Sequence, residues 1–269
     1  MVLVKRTWQD TRLGNVRASE GALGAGMASV RRPGSRAVDV WQVELAAEPP
    51  PIEWLDAYET ARLQALATAA LRARFLTAHA ATRAILGAYV GCRPFEVDIG
   101  RARCSNCGCE HAKPFVRNDT LNLEYSLSHS RDLALLAVAE RPVGIDVEWR
   151  GAAFDVKEVA AYVLSDDELA QWNAPEHADP QRRFFDCWTR KEAALKMTGI
   201  GLERPMHDVR IAPDQQSAAV PNLRGETKRV ELLDLAGPDD HYSATLAIAA
   251  PRPMVRLRRW KLELVRAGA

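Results

Sequence analysis

The sequence predicts an α+β fold of two similar halves, each a sheet packed with a long helix, and a ligand cleft between them. Two observations carry that expectation. Strand-like and helix-like segments run through the first half of the chain and recur in the same general order in the second. When Phe75 is set against Phe184, Arg83 falls on Glu192, Ala84 on Ala193 and Leu86 on Leu195, as a pseudo-twofold repeat would require. A cleft between two packed halves is a natural ligand site. The division expected is a flexible leader over 1–36, an N-terminal half over 37–142 and a C-terminal half over 143–269.

Residues 38–45 alternate in polarity and are rich in β-branched side chains, which predicts the first strand. Pro49, Pro50 and Pro51 then break the chain. The Ala- and Leu-rich stretch over 52–90 has helical spacing and reads as two successive helices. Residues 93–122 hold short strand-like pieces, a cysteine cluster and turn formers. Residues 123–129 and 133–140 read as strands joined by a tight turn at Ser130, Arg131 and Asp132, and 143–148 as another strand after Pro142. In the second half, Ser165 and Glu168 are spaced as a helix capping box. A long helix is expected over 180–198, stopping near Gly199, and strands over 209–211, 230–233, 242–249 and 255–264.

Composition narrows the function. With 269 residues, 47% of them apolar and 26% charged, the chain can bury a core without disulfide or metal staples. A formal net charge of +1 argues against a broad nucleic-acid surface. The longest apolar run, residues 133–139, falls far short of the roughly 18 residues a membrane helix needs. Five cysteines, an odd number, and no secretory signal point to a reducing cytoplasm. The first 36 residues carry seven Lys or Arg against two acids and lack the apolar core of a signal peptide, so a flexible leader is favoured over a transit peptide. Cys104, Cys107, Cys109 and His111 put four soft ligands within eight residues, a spacing awkward for zinc, whose sites draw pairs from separate segments. Free thiols, a structural zinc and a disulfide all stay open there.

Three segments carry chemistry. In the strand Gly144-Ile145-Asp146-Val147-Glu148, positions two apart share a face, so Asp146 and Glu148 stand side by side while Ile145 and Val147 face the core. Two such carboxylates repel, and an oxygen-seeking cation relieves the repulsion. On the helix that follows, Trp188, Glu192 and Lys196 are spaced by four and share one face, with Lys191 about 100° round from Glu192. An exposed Glu–Lys pair explains that spacing without any function; it does not explain why a tryptophan face carries both charges. Finally, Ser126, Ser128, His129 and Ser130 cluster at a strand end, where free N–H groups and an imidazole suit a phosphate. No nucleophile elbow surrounds these serines, which excludes a serine-hydrolase triad of that kind.

Taken in order, Lys113-Pro114, Tyr125 to Ser130, Gly144 to Glu148 and Trp188 to Lys196 resemble the 4′-phosphopantetheinyl transferases. Within that superfamily the chain is similar to the monomeric surfactin-synthetase-activating type. The resemblance covers about residues 38–250, including Trp41, and the spacing of 17 between His129 and Asp146 fits it. It implies a fold with an antiparallel sheet in each half and an active site between the halves. It also implies transfer of 4′-phosphopantetheine from coenzyme A, the co-substrate, to a serine of an apo acyl or peptidyl carrier protein, leaving adenosine 3′,5′-bisphosphate.

The resemblance further implies Mg2+ held by Asp146, Glu148 and Glu192, with Glu192 taking the serine proton and Lys196 serving the leaving phosphate. Coenzyme A contacts are implied at Arg74 (Arg72 if the local match slips), Arg83, Lys113, Pro114, Ser128, His129, Asp146, Lys191 and Lys196. The expected partner is a small acidic helical carrier domain docking on the cleft rim near Phe115 and Arg117, and neither nucleic acid nor a membrane is expected. No feature chooses among fatty-acid, polyketide and nonribosomal-peptide carriers. A different magnesium-dependent phosphotransferase is disfavoured by the missing Walker and kinase motifs, and a zinc knuckle for nucleic acid by the near-neutral charge. A carrier-binding module without catalysis would not need the full acidic and basic set.

Overall fold

The computed structural model describes residues 15–16, 30–45, 49–103, 108, 110–117, 119, 122–151, 155–173, 179–201, 204–211, 215–222 and 225–261. Most of the leader expected over 1–36 lies outside them, as do Cys104, Cys107 and Cys109, and with them the thiol, zinc and disulfide alternatives.

In the first half, β1 (Asn15–Val16) and β2 (Ala37–Glu44) precede α1 (Ala57–Ala65) and α2 (Ala69–Val90). Asp56 and Glu59 cap the start of α1 reciprocally, and Thr68 caps α2. Gly91, at φ +80°, ends α2 in a left-handed turn that a side chain would resist. Then come β3 (Ile99–Arg103), β4 (Glu110–Val116), β5 (Glu124–Ser130) and β6 (Leu133–Ala139). The second half holds β7 (Val143–Trp149), α3 (Val156–Val163), α4 (Asp166–Trp172), α5 (Pro180–Thr198), β8 (Ser217–Pro221), β9 (Thr227–Leu235), β10 (Tyr242–Ala249) and β11 (Met254–Trp260). Pro180 opens α5 behind the Asp179 cap and Gly199 closes it.

One sheet has the order β1-β11-β2-β6-β5 and another β7-β10-β9-β8, while β3 and β4 form a small ribbon of their own. The trio β2-β6-β5 in the first sheet matches β7-β10-β9 in the second, antiparallel throughout. The first sheet is mixed rather than purely antiparallel, because β11 returns from the second half and pairs in parallel with β2. The expected strand over 209–211 is absent. A 3-10 turn (Met206–Asp208) leads into that segment, and its Ile211 N–H donates to the Glu168 carboxylate instead of to a strand. The helix α3 and the strand β8 had no sequence expectation. Both are short, and two of the five residues of β8 are alanines, which carry little strand signal.

Packing follows strand alternation. Trp41 and Val43 of β2, with Leu136 and Val138 of β6, face α2 residues Ala81, Ala84 and Ile85. Their sequence neighbours Val38, Val40, Leu135 and Ala137 face the second sheet, meeting Ile145, Val147, Leu246 and Ile248. On the far side, Phe184, Ala193 and Leu195 of α5 pack over Leu232 and Ala247. The layers are therefore helix, sheet, sheet, helix, and β6 is apolar on both faces because it is covered on both.

Gly144 sets how closely α5 can approach β7. A Cβ there would stand 2.0 Å from the Ala193 carbonyl oxygen and 2.5 Å from the Met197 nitrogen, both backbone atoms that cannot swing away. Gly144→Ala is expected to push α5 off the sheet and destabilise the fold by about 1–3 kcal/mol. A denaturant midpoint unchanged from wild type would contradict this packing.

Candidate active site

The alternation of β7 buries Val143, Ile145 and Val147 between the sheets and turns Gly144, Asp146 and Glu148 towards α5. Over Gly144, α5 brings Lys196 against the strand. Its Nζ donates to Asp146 Oδ1 at 2.7 Å and to Ser128 Oγ at 3.1 Å. Ser128 in turn donates to Asp146 Oδ1 at 2.7 Å, and Ser130 donates to Glu148 Oε2 at 2.8 Å. Asp146 is only 2% exposed, yet its Oδ2 has no hydrogen-bond partner. Such an orphaned carboxylate oxygen is costly unless something arrives to meet it.

The charges in this cluster act on one another. Burial, then the neighbouring Asp146 carboxylate, pushes Glu148 up to about 7. Burial also raises Glu192, against the pull of Lys196. For Lys196, burial works against the charged form, but the Asp146 and Glu192 carboxylates outweigh it and its pKa is raised. Three carboxylates thus surround one ammonium, and the acids are short of cations. Hard oxygen donors with one oxygen unpaired fit a magnesium ion. Among the described residues, no three His, Cys, Asp or Glu side chains enclose a metal position by themselves. A magnesium ion here would therefore need further oxygens, from substrate phosphates or water.

The residues expected to meet coenzyme A divide into two groups. His129 lies on the α2 side of β5 and keeps contact with solvent. Enclosure by the surrounding chain, then His79, Lys196 and Arg62, lowers its pKa, so it enters the cleft as a neutral imidazole near neutral pH. Lys113 reaches across from β4, 2.7 Å from Glu124 and 3.4 Å from the Met197 carbonyl, with Pro114 beside it in the strand. Arg74 is paired with Asp132 at 2.8 Å, and both side chains keep solvent contact. Lys113 and Arg74 are thus cations in ion pairs that keep solvent contact, while His129 is neutral.

Arg83 and Lys191 are not brought to that cluster. Arg83 is 2% exposed and fully engaged. It binds Glu59 at 2.5 Å, Asp56, and the Val97 carbonyl at 2.9 Å, so it fastens α2 to α1. Lys191 is 0% exposed and donates to Glu168 at 2.5 Å and to the carbonyls of Val163 and Met206. A rotation of one residue from Glu192 carries it from the cleft into the corner of α3 and α4. Trp188 likewise packs on Phe184, with ring centroids 5.8 Å apart. Sequence reasoning gave Ser130 no role of its own and left Glu168 as a cap only. The sole signal was the serine spacing 126-128-130 facing the acids at 146 and 148.

A buried carboxylate bound by a lysine, with two further acids close by, is chemistry suited to handling phosphates and protons. Comparison with known proteins agrees. The 4′-phosphopantetheinyl transferase superfamily model matches residues 142–247, which span β7, α5 and the acids between them. The 4′-phosphopantetheinyl transferase HetI of Nostoc sp. is 31% identical over 181 residues, 66% of this chain and 71% of the relative. The 4′-phosphopantetheinyl transferase gsp of Aneurinibacillus migulanus is 30% identical over 41% of this chain, and Sfp of Bacillus subtilis 28% identical over 46%. The chain spans about half the length of these two, 45% and 54% respectively. The chain belongs to the 4′-phosphopantetheinyl transferase superfamily.

The Arg83 contacts give a test. His79 and Arg83 together overcome burial and lower the Glu59 pKa below its ordinary 4.5. The unfolded chain therefore binds more protons in that window, and the stability Glu59 contributes is lost as pH falls through its folded pKa. Arg83→Met should strand the Glu59 charge and cost about 3–5 kcal/mol of stability. Glu59→Gln should flatten the decline of stability below about pH 4.5, the ordinary pKa of the group it replaces. Denaturant titrations across pH check both. An Arg83→Met chain as stable as wild type but weak for coenzyme A would make Arg83 a ligand residue instead.

Proposed function

We propose that the chain transfers 4′-phosphopantetheine from coenzyme A to a serine hydroxyl of an apo acyl or peptidyl carrier protein, with Mg2+ held by Asp146, Glu148 and Glu192. The observation that carries this reading is the Asp146 carboxylate, buried, pinned on one oxygen by Lys196 and Ser128 and unpaired on the other. When bound, the ion would neutralise charge on the pyrophosphate of coenzyme A and so favour attack at phosphorus.

The serine oxygen attacks the phosphorus that bears the pantetheine arm, a new P–O bond forms, and the bond to the departing adenosine 3′,5′-bisphosphate breaks. Glu192 receives the serine proton through a water. Its pKa, raised by burial, makes it a better proton acceptor than a solvated glutamate. Lys196 meets the charge that develops on the leaving phosphate. His129, Lys113 and Arg74 hold the remaining phosphate charge from the first half, and Arg83 and Lys191 serve by holding the helices.

In this reading the halves over 37–142 and 143–269 each lend one wall of the cleft, and β11 is the strand the second lends to the first. The internal pseudo-twofold supports a monomer. No helix among the described residues is long and apolar enough to cross a membrane. The five cysteines favour a cytoplasmic enzyme, and the near-neutral charge leaves nucleic acid out of its partners.

Incubating the chain with apo carrier protein, coenzyme A and Mg2+ should add one phosphopantetheine to the carrier, read by intact mass. EDTA should abolish the gain, and Glu192→Gln or Lys196→Ala should slow it by about 10²–10⁴-fold. Coenzyme A binding without any mass gain across several carriers would instead mark a non-catalytic carrier-binding module.

A further inference from the structure

The two sheets meet along β5 and β7, and that seam is unusual in its chemistry. The strands run side by side in the same direction, yet no backbone ladder joins them among the described residues. The outward N–H groups of Ile145, Val147 and Trp149 donate instead to the hydroxyls of Ser126, Ser128 and Ser130, at 3.1, 3.4 and 3.1 Å. Unpaired edge N–H groups buried between sheets would be costly, and the serine comb satisfies them two residues at a time.

A hydroxyl that accepts an N–H still has its own proton to give. Ser128 gives it to Asp146 and Ser130 to Glu148, at 2.7 and 2.8 Å. Ser126 lies one step earlier, beside Gly144, where no carboxylate stands. From this arrangement we infer that Ser128 and Ser130 are positioning residues: one oxygen in each both fastens the halves together and aims a carboxylate of the proposed magnesium site. The inference rests on the metal reading above and adds a coupling to it. Filling the site tightens the seam at Val147 and Trp149, and loss of the Ser128 or Ser130 hydroxyl disorders the site, because those two hydroxyls serve both.

The experiment compares Mg2+ affinity by calorimetry and amide exchange along β7 in the full chain with coenzyme A present, since the ion would rest partly on its phosphates. Ser130→Ala is expected to weaken Mg2+ binding by about tenfold, the lower range for loss of a ligand's supporting hydrogen bond, and to speed exchange at the Trp149 amide. Ser130→Thr, which keeps the hydroxyl, should restore both. Ser126→Ala should speed exchange at Ile145 and leave Mg2+ affinity unchanged. In wild type, Mg2+ should slow exchange at Trp149, and Glu148→Gln should remove that dependence; this arm decides the matter if Ser130→Ala does not fold.

Unchanged Mg2+ affinity in Ser130→Ala would overturn the inference. So would a Ser126→Ala chain that weakens Mg2+ as much as Ser130→Ala, since the seam would then act only through stability. A wild-type chain that binds no Mg2+ overturns the metal reading and the coupling with it, while exchange at Trp149 in Ser130→Ala still decides whether the hydroxyl closes the seam.

Discussion

A carboxylate withdrawn from water must be met by cations and donors, and the second half is arranged around that requirement at Asp146. Its strand places it on the α5 face, and the missing side chain of Gly144 lets α5 settle close enough for Lys196 to reach it. Were the helix held further off, Asp146 would keep its burial and lose its countercharge, which is the costlier state. Burial, and then the Asp146 charge, raises Glu148 and Glu192 against the pull of Lys196. The site is thus stable as folded yet still attracts a further cation.

That tension is held by the joint between the sheets. A backbone ladder between β5 and β7 would take up the N–H groups of Ile145, Val147 and Trp149 directly, and the serine hydroxyls would no longer bridge seam and acids. Serine hydroxyls extend the reach across the gap and keep a proton to spare. Structure and site therefore share atoms, and the cleft does not sit on a finished scaffold.

Much of this was legible in the sequence, for identifiable reasons. Pro180 and Gly199 bracket α5, and the Ser165–Glu168 spacing announces α4, because caps are local chemistry. The twofold face of Asp146 and Glu148 is likewise a local property of a strand. What escaped depends on neighbours distant in the chain. The family resemblance puts Arg83 and Lys191 among coenzyme A contacts; the structure surrounds them with Glu59, Asp56 and Glu168, whose proximity no spacing reveals. The parallel return of β11 to β2 leaves no local mark, since one strand reads the same whichever edge it joins. In sequence the serines resemble a phosphate-binding turn, because a hydroxyl's partner cannot be seen from its own strand.

The internal repeat bears on why there is one site and not two. Asp39 of β2 and Asp146 of β7 are placed alike, each with its side chain turned to the long helix of its half, where Tyr89 of α2 meets one and Lys196 of α5 the other. A parallel strand flanks each: β11 beside β2, and β5 beside β7 across the serines. In the first half, that flanking strand supplies Arg256, 2.5 Å from Asp39 Oδ1, and Arg258, 3.1 Å from Oδ2, while Tyr89 of α2 donates to the same carboxylate. Both Asp39 oxygens are taken, and at the α2 position equivalent to Glu192 stands Arg83, turned to α1. In the second half the flanking strand offers hydroxyls rather than guanidinium groups, so Asp146 keeps one oxygen free and Glu192 adds another acid. Closing a buried aspartate with two arginines makes a structural joint; leaving the equivalent one a cation short makes a site that a substrate's metal can complete.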